Sequence, residues 1–187
     1  MFNILVVDDE PSVVQGLVQS VRWEEYGIDL AGTACNGLEA LGAIERSPVH
    51  ILLTDIRMPV MDGIELIREI RRRHLDIRTI ILSGHDDFSY VKEGILLGVE
   101  NYLLKPLDKD ELASTLACVL EKLEQDLARK RITRESLDVF RNNLLSRWLS
   151  NDIGPREFQE RAEVVGLPCC ARQYQAAIVR YLASPGD

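Results

Sequence analysis

Several features are scarce or missing in this 187-residue chain, and each absence removes a class of function. There are four cysteines, Cys35, Cys118, Cys169 and Cys170, and no two pairs of them have the spacing of a metal clip. They are read as reduced thiols in a cytosolic protein, and the adjacent Cys169 and Cys170 as ordinary thiols rather than a redox pair. No apolar run approaches the ~20 residues of a membrane span, and Met1-Phe2-Asn3 leads straight into a strand pattern instead of a signal peptide. A glycine-rich phosphate cradle with its lysine is also missing, which argues against a nucleotide bound here. Cations are outnumbered, 22 against 30 acids, and the net charge of -8 opposes wholesale binding to nucleic acid or a membrane surface.

What is present is a regular alternation. Ile4–Val7 is a short apolar strand pattern closed by Asp8-Asp9-Glu10. Pro11 then suits a helix's first turn, and Val14, Leu17, Val18 and Val21 recur at helical spacing up to Gly27. Residues 28–35 form a weaker strand, Asn36-Gly37 a turn, and Leu38, Leu41 and Ile44 a short helix stopping before Pro48. Val49–Thr54 is an apolar strand that delivers Asp55. Pro59 and Gly63 punctuate the turn after it, and Ile64, Ile67 and Ile70 stripe a third helix with Arg71-Arg72-Arg73 on its solvated side. Ile77–Leu82 is a fourth strand, ended by Ser83-Gly84. Phe88, Val91 and Ile95 begin a fourth helix that runs out at Gly98, and Tyr102-Leu103-Leu104 is a fifth strand ended by Lys105-Pro106. Five strands alternating with helices predict a parallel sheet covered on both faces, with a ligand crevice beyond the strands' carboxyl ends.

Those ends carry Asp8, Asp9, Asp55, Ser83 and Lys105. Three carboxylates with one lysine repel one another unless a cation joins them. Oxygen ligands without His or Cys favour Mg²⁺ over zinc. Asp55 is then a candidate nucleophile toward a phosphoryl group, whose charge Mg²⁺, the Lys105 ammonium and the Ser83 hydroxyl would meet.

Asp8-Asp9-Glu10-Pro11, the stretch from Asp55 to Gly63, Ser83-Gly84 and Lys105-Pro106 together resemble the receiver domain of two-component response regulators, over roughly residues 1–122. The resemblance implies a flavodoxin-like α/β fold with strand order 2-1-3-4-5, and Asp55 as the residue phosphorylated by a sensor histidine kinase. It implies Mg²⁺ on Asp9 and Asp55, with Asp8 acting through water and the Arg57 main-chain carbonyl completing the set. Lys105 would precede a cis proline, and Ser83 with Tyr102 would form the switch pair. Arg57 and His85, each two residues past a key position, are read as solvated loop residues in preference to groups that set the rate of acyl-phosphate hydrolysis.

Asp108 and Glu111 have capping-box spacing, and no proline or glycine follows until Gly154, so a helix of about 40 residues is expected. A heptad places Ala113, Leu120 and Leu127 at one core position and Leu116, Leu123, Leu137 and Leu144 at the other; Lys130, Arg134 and Arg141 interrupt the register, and an imperfectly paired homodimer through this helix is predicted. The alternative is that Leu137, Phe140, Leu144 and Trp148 pack on the chain's own second domain. The basic run Arg129–Arg134 is read as a solvated face in preference to a contact with DNA or a membrane. Phe158, Ala162 and Val165 mark a short helix, and Tyr174–Leu182 a strand-like run.

The expected organisation is a receiver at 1–122, a linker helix at 123–150 and the opening of a second α/β domain at 151–187. Residues 83–88 and the long helix resemble the AraC-type (YesN-like) transcriptional regulators, whose helix-turn-helix would lie beyond this chain, since 140–187 contain no such motif. DNA would be met only through that domain. Two other readings are a receiver-like adaptor that is never phosphorylated and a phosphatase with an Asp nucleophile. The phosphatase would need an acid where Arg57 stands, so no enzyme with an external substrate is expected beyond self-phosphorylation and self-dephosphorylation.

Overall fold

The computed structural model describes residues 1–84 and 88–167. His85, the side chains of Phe88 and Val91, Cys169, Cys170 and the run 174–182 lie outside the described residues. The chain divides into two compact units, Met1–Glu124 and Gln125–Asp187.

In the first unit, β1 (Phe2–Val7), β2 (Ile28–Ala34), β3 (Ile51–Asp55), β4 (Arg78–Ser83) and β5 (Asn101–Leu104) form one parallel sheet in the order β2-β1-β3-β4-β5. Helices cover both faces, so the central strands read as continuous apolar runs. Along β1, Ile4 and Val6 face one core, with Leu17, Trp23, Leu112, Leu116, Val119 and Leu123. Leu5 and Val7 face the other, with Ala40, Leu41, Leu66 and Ile70. A third cluster joins Ile56, Ile64, Ile67 and Ile81 to the partly buried Tyr90, Leu97, Val99 and Tyr102.

The helices are α1 (Pro11–Ser20), α2 (Gly37–Arg46), α3 (Gly63–Arg72), α4 (Phe88–Leu96), α5 (Lys109–Leu149) and α6 (Pro155–Val164). Pro11 sits in the first turn of α1 as expected, but the helix stops at Ser20, and a 3₁₀ turn, Trp23–Tyr26, follows before Gly27. Trp23 is the reason. At ~100° per residue a continued helix would carry it to the side opposite the Val14–Val21 stripe, whereas here the indole is buried in the core. Gly27, at φ 68°, closes the turn in the left-handed region. In α2 the buried stripe is Gly37, Ala40 and Leu41, and Leu38 is exposed. The helix start lies against Met61, whose Cγ would be 2.5 Å from a Cβ at Gly37.

Ile64, Ile67 and Ile70 of α3 are buried as expected, and Asp62 with Glu65 forms a capping box at its start. Arg71 is not on the solvated side. Its guanidinium donates to the carbonyls of Leu97, Ile77 and Gly98, each at 3.0 Å, so it crosses under the end of α4 and only Arg72 and Arg73 face outward onto Glu69 and Glu45. Burial lowers the Arg71 pKa, and nearby Arg78 adds to this. Ile95, expected on the α4 stripe, is exposed.

α5 is the 41-residue helix that the sequence predicts. Its cap is one-sided: Asp108 Oδ1 accepts from the Asp110 and Glu111 amides at 2.8 and 3.0 Å. Leu116 and Leu123 are buried in the receiver core, and Leu144 is buried in the second unit with Ile153, Phe158 and Ala162. Three of the four leucines assigned to one side of the heptad seam are therefore already covered within the chain. Trp148 stacks on Phe158 with ring centroids 4.4 Å apart. Leu144 and Trp148 thus pack on the chain's own following residues, while Leu137 and Phe140 stay exposed.

Candidate functional site

Strand register brings the predicted residues together. Val7 pairs with Thr54, so the next residues, Asp8 and Asp55, emerge side by side from the two central strands. This is the point where strand order reverses, and ligand crevices of open parallel sheets form there. Asp55 pairs with Leu82, and Ser83 with Leu104, which puts Ser83 and Lys105 at the same rim.

The Lys105 ammonium bridges the two central acids, 2.8 Å from Asp8 Oδ2 and 2.9 Å from Asp55 Oδ1, with Glu10 Oε1 at 4.0 Å. The Lys105-Pro106 peptide is cis. Asp8 is turned by a hydrogen bond from the Glu10 amide to its Oδ1 at 2.9 Å, and Asp55 Oδ2 accepts from the Arg57 amide at 3.1 Å. Asp8 and Asp55 are buried and Asp9 is exposed, and one oxygen from each lies within 4.8 Å of the others.

One cation shared between two anions explains the opposite balance at the two ends of the pair. Burial pushes the Asp55 carboxyl above the usual range, against the pull of Lys105, and Asp8 adds repulsion. Burial also works against the Lys105 charge, but its hydrogen bonds to Asp8 and Asp55 together outweigh that, and its pKa lies above the ordinary lysine value. Three carboxylates and one ammonium leave an excess of two negative charges on hard oxygen donors. That donor set fits a divalent cation of the Mg²⁺ type.

Ser83 is fully buried, and its hydroxyl donates to the Gly84 carbonyl at 3.0 Å while accepting from the Tyr102 hydroxyl. The expected switch pair is thus in direct contact, with the Tyr102 ring packed against the cluster of Ile56, Ile64, Ile67 and Ile81.

Two supports of Asp55 were not read from the sequence as site residues. Thr54 Oγ1 donates to the Asp55 carbonyl at 2.9 Å, and Gly63 lies so close that a Cβ there would be 2.0 Å from the same oxygen. The glycine was legible as a turn residue. Its role behind Asp55 depends on the return of the loop, which the Gly63 amide closes on the Ile56 carbonyl at 2.8 Å.

A parallel sheet with this acid, lysine and hydroxyl rim defines a receiver. Residues 4–117 match the response regulator receiver domain family, and the chain belongs to it. Among curated relatives, it is 36% identical over 152 residues to the uncharacterized transcriptional regulatory protein YesN of Bacillus subtilis, covering 80% of this chain and 41% of that protein. It is 39% identical over 141 residues to the transcriptional regulatory protein HptR of Staphylococcus aureus, covering 75% and 55%. The chain spans about half the length of these curated relatives. Similar solved structures include the receiver domain of AraT, a response regulator from Geobacillus stearothermophilus, with 38% identity and TM-score 0.64, covering 67% of this chain and 98% of that one. A two-component transcriptional regulator AraC from Clostridium phytofermentans has 34% identity and TM-score 0.63, with 68% and 99% covered. The homologues are thus YesN-like and AraC-type regulators, in keeping with the resemblance of the sequence.

Proposed function

We propose that the chain is the input portion of a transcriptional response regulator, phosphorylated on Asp55 by a sensor histidine kinase. The observation that carries this reading is the Lys105 ammonium held between Asp8 and Asp55, with Asp9 beside them. An Asp55 carboxylate oxygen forms the new O–P bond as the P–N bond to the kinase imidazole breaks, and the imidazole leaves with its electron pair and takes up a proton. Lys105 remains against the added charge, and burial keeps that interaction strong. Asp8, Asp9, Asp55 and the Arg57 main-chain carbonyl would hold Mg²⁺. When bound, it neutralises the acidic excess and the phosphoryl oxygens.

Ser83 then turns its hydroxyl from Tyr102 toward the new phosphoryl oxygens, which frees the Tyr102 ring to change position. The output is a change in homodimerisation through α5, where Leu127, Ile132, Val139 and Phe140 are exposed. DNA is then recognised by a domain outside this chain. No helix among the described residues is long and apolar enough to cross a membrane, and we place the protein in the cytoplasm with its kinase's catalytic portion.

The test is labelling by a small acyl-phosphate donor with Mg²⁺, followed by mass spectrometry. Native protein gains one phosphate on Asp55 and Asp55→Asn gains none; equal labelling of the two refutes the assignment. For the dimer, sedimentation of chains ending at residues 124 and 187 should differ. Two monomers, with and without a phosphoryl analogue, would end that part of the proposal.

A further inference from the structure

Between β3 and α3, residues 56–62 carry the Arg57 amide, which donates to Asp55 Oδ2, and the Arg57 carbonyl that would hold Mg²⁺. The far side of this loop is strained. The Met61 amide closes on the Pro59 carbonyl at 2.8 Å, a three-residue turn with Val60 at its centre at φ 70°. A γ-turn of that hand is rare, and a β-branched side chain at positive φ crowds its own main chain. Val60 is 79% exposed, so its own packing does not hold the turn. Such a conformation persists only where the surroundings impose it.

The hold comes from α2. Gly37 is the first residue of that helix, and a helix's first amides have no partner within the helix. The Gly37 amide donates to the Met61 carbonyl at 3.0 Å. The start of α2 is itself fixed: Asn36 Oδ1 accepts from the Glu39 amide at 2.9 Å, and Glu39 Oε2 accepts from the Cys35 amide at 3.1 Å. Gly37 has helical main chain, so no left-handed dihedral calls for glycine there. The close approach does. A Cβ at 37 would lie 2.5 Å from Met61 Cγ, 2.8 Å from Sδ and 3.0 Å from Cβ, and Met61 is packed against the core of Leu5, Val7, Ala40 and Leu66. The loop is therefore fastened twice, by the Gly63 amide on the Ile56 carbonyl and by the Gly37 amide on the Met61 carbonyl.

We propose that Gly37 and Met61 are positioning residues for the Asp55 site. The first amide of α2 holds the loop in its strained turn, and the turn sets where the Arg57 carbonyl lies relative to Asp55. This role rests on the reading of that carbonyl as a Mg²⁺ ligand. Outer partners that orient a metal's ligands typically contribute about 10–100-fold in metal affinity. The coupling is reciprocal: a tie that favours Mg²⁺ binding is itself strengthened when Mg²⁺ binds.

The experiment uses the whole 187-residue chain, with Mg²⁺ binding measured by titration calorimetry and amide hydrogen exchange read by NMR. Folded Gly37→Ala should bind Mg²⁺ roughly tenfold more weakly than native protein. Adding Met61→Ala to that variant removes Cγ and Sδ from the clash and should restore most of the affinity. In native protein the Gly37 amide should exchange slowly in EDTA and more slowly still at saturating Mg²⁺. That measurement needs no substitution, so a Gly37→Ala chain that fails to fold leaves the test standing. Native Mg²⁺ affinity in folded Gly37→Ala, no recovery in the double variant, or Gly37 exchange indifferent to Mg²⁺ overturns the positioning role alone. Native protein that binds no Mg²⁺ overturns the metal reading, and the positioning role with it.

Discussion

At Asp55, chemistry and stability pull in opposite directions. Its carboxyl is raised by burial and by Asp8, so the folded protein holds that proton more tightly than the unfolded chain does. The resulting destabilisation is absent well below the unfolded value near pH ~3.9 and fully present above the folded value. In EDTA, Asp55→Asn should therefore melt higher than native protein at neutral pH, and the gap should close as the pH is lowered through the carboxylate range. Thermal melts across pH check this, and an Asn variant less stable than native protein at pH 7 contradicts it. Gly63 is a second residue-scale constraint. A methyl group there would meet the Asp55 carbonyl at 2.0 Å, and main chain cannot yield as a flexible side chain can. Gly63→Ala is expected to cost about 1–3 kcal/mol and to reduce acyl-phosphate labelling, read by denaturant melts and mass spectrometry on the same sample. Asp8, Asp9, Asp55 and Lys105 were legible because strand-ending charged residues stand out against apolar runs. Gly63's place behind Asp55 was not, because a glycine in a turn looks the same whether it serves its own dihedrals or a neighbour's carbonyl.

At the scale of elements, α4 is held from α3. The Arg71 guanidinium satisfies the carbonyls of Leu97 and Gly98 at the end of α4 and of Ile77 before β4, and Arg68 pairs with Glu93 on the same helix pair. Cationic donors suit a helix's carboxyl end. Arg71→Met should cost about 2–3 kcal/mol and speed amide hydrogen exchange around residues 97–99 while leaving β1 and β3 protected. Unchanged exchange there would show that the clamp carries no weight. An arginine triplet after an apolar stripe reads as solvent-facing, and only the approach of α4 reveals that one of the three turns inward. The strands were legible to within a residue or two because both faces of the sheet are covered. The helices deviated where a single large or small residue overrode the periodicity: Trp23 ended α1, and Gly37 against Met61 moved the buried stripe of α2 away from Leu38.

For the whole molecule, most of the described interior belongs to the first unit. All three receiver clusters are built from residues before Gln125. A chain ending at Glu124 should therefore fold, melt within a few degrees of the same unit in the 187-residue chain, and label on Asp55; calorimetry and mass spectrometry decide. The described core of the second unit is four buried residues, Leu144, Ile153, Phe158 and Ala162, with a handful packed against them. The heptad reading took α5 for one continuous seam, because a periodic pattern does not say which of its leucines a chain will use for itself. The helix in fact lends side chains to two separate interiors, and among residues 124–143 none is buried. Apart from Arg141, which donates to the Val165 carbonyl, those positions fill no interior, so mutations there should alter what the protein meets far more readily than whether it folds, and related chains can diverge along that span at little structural cost.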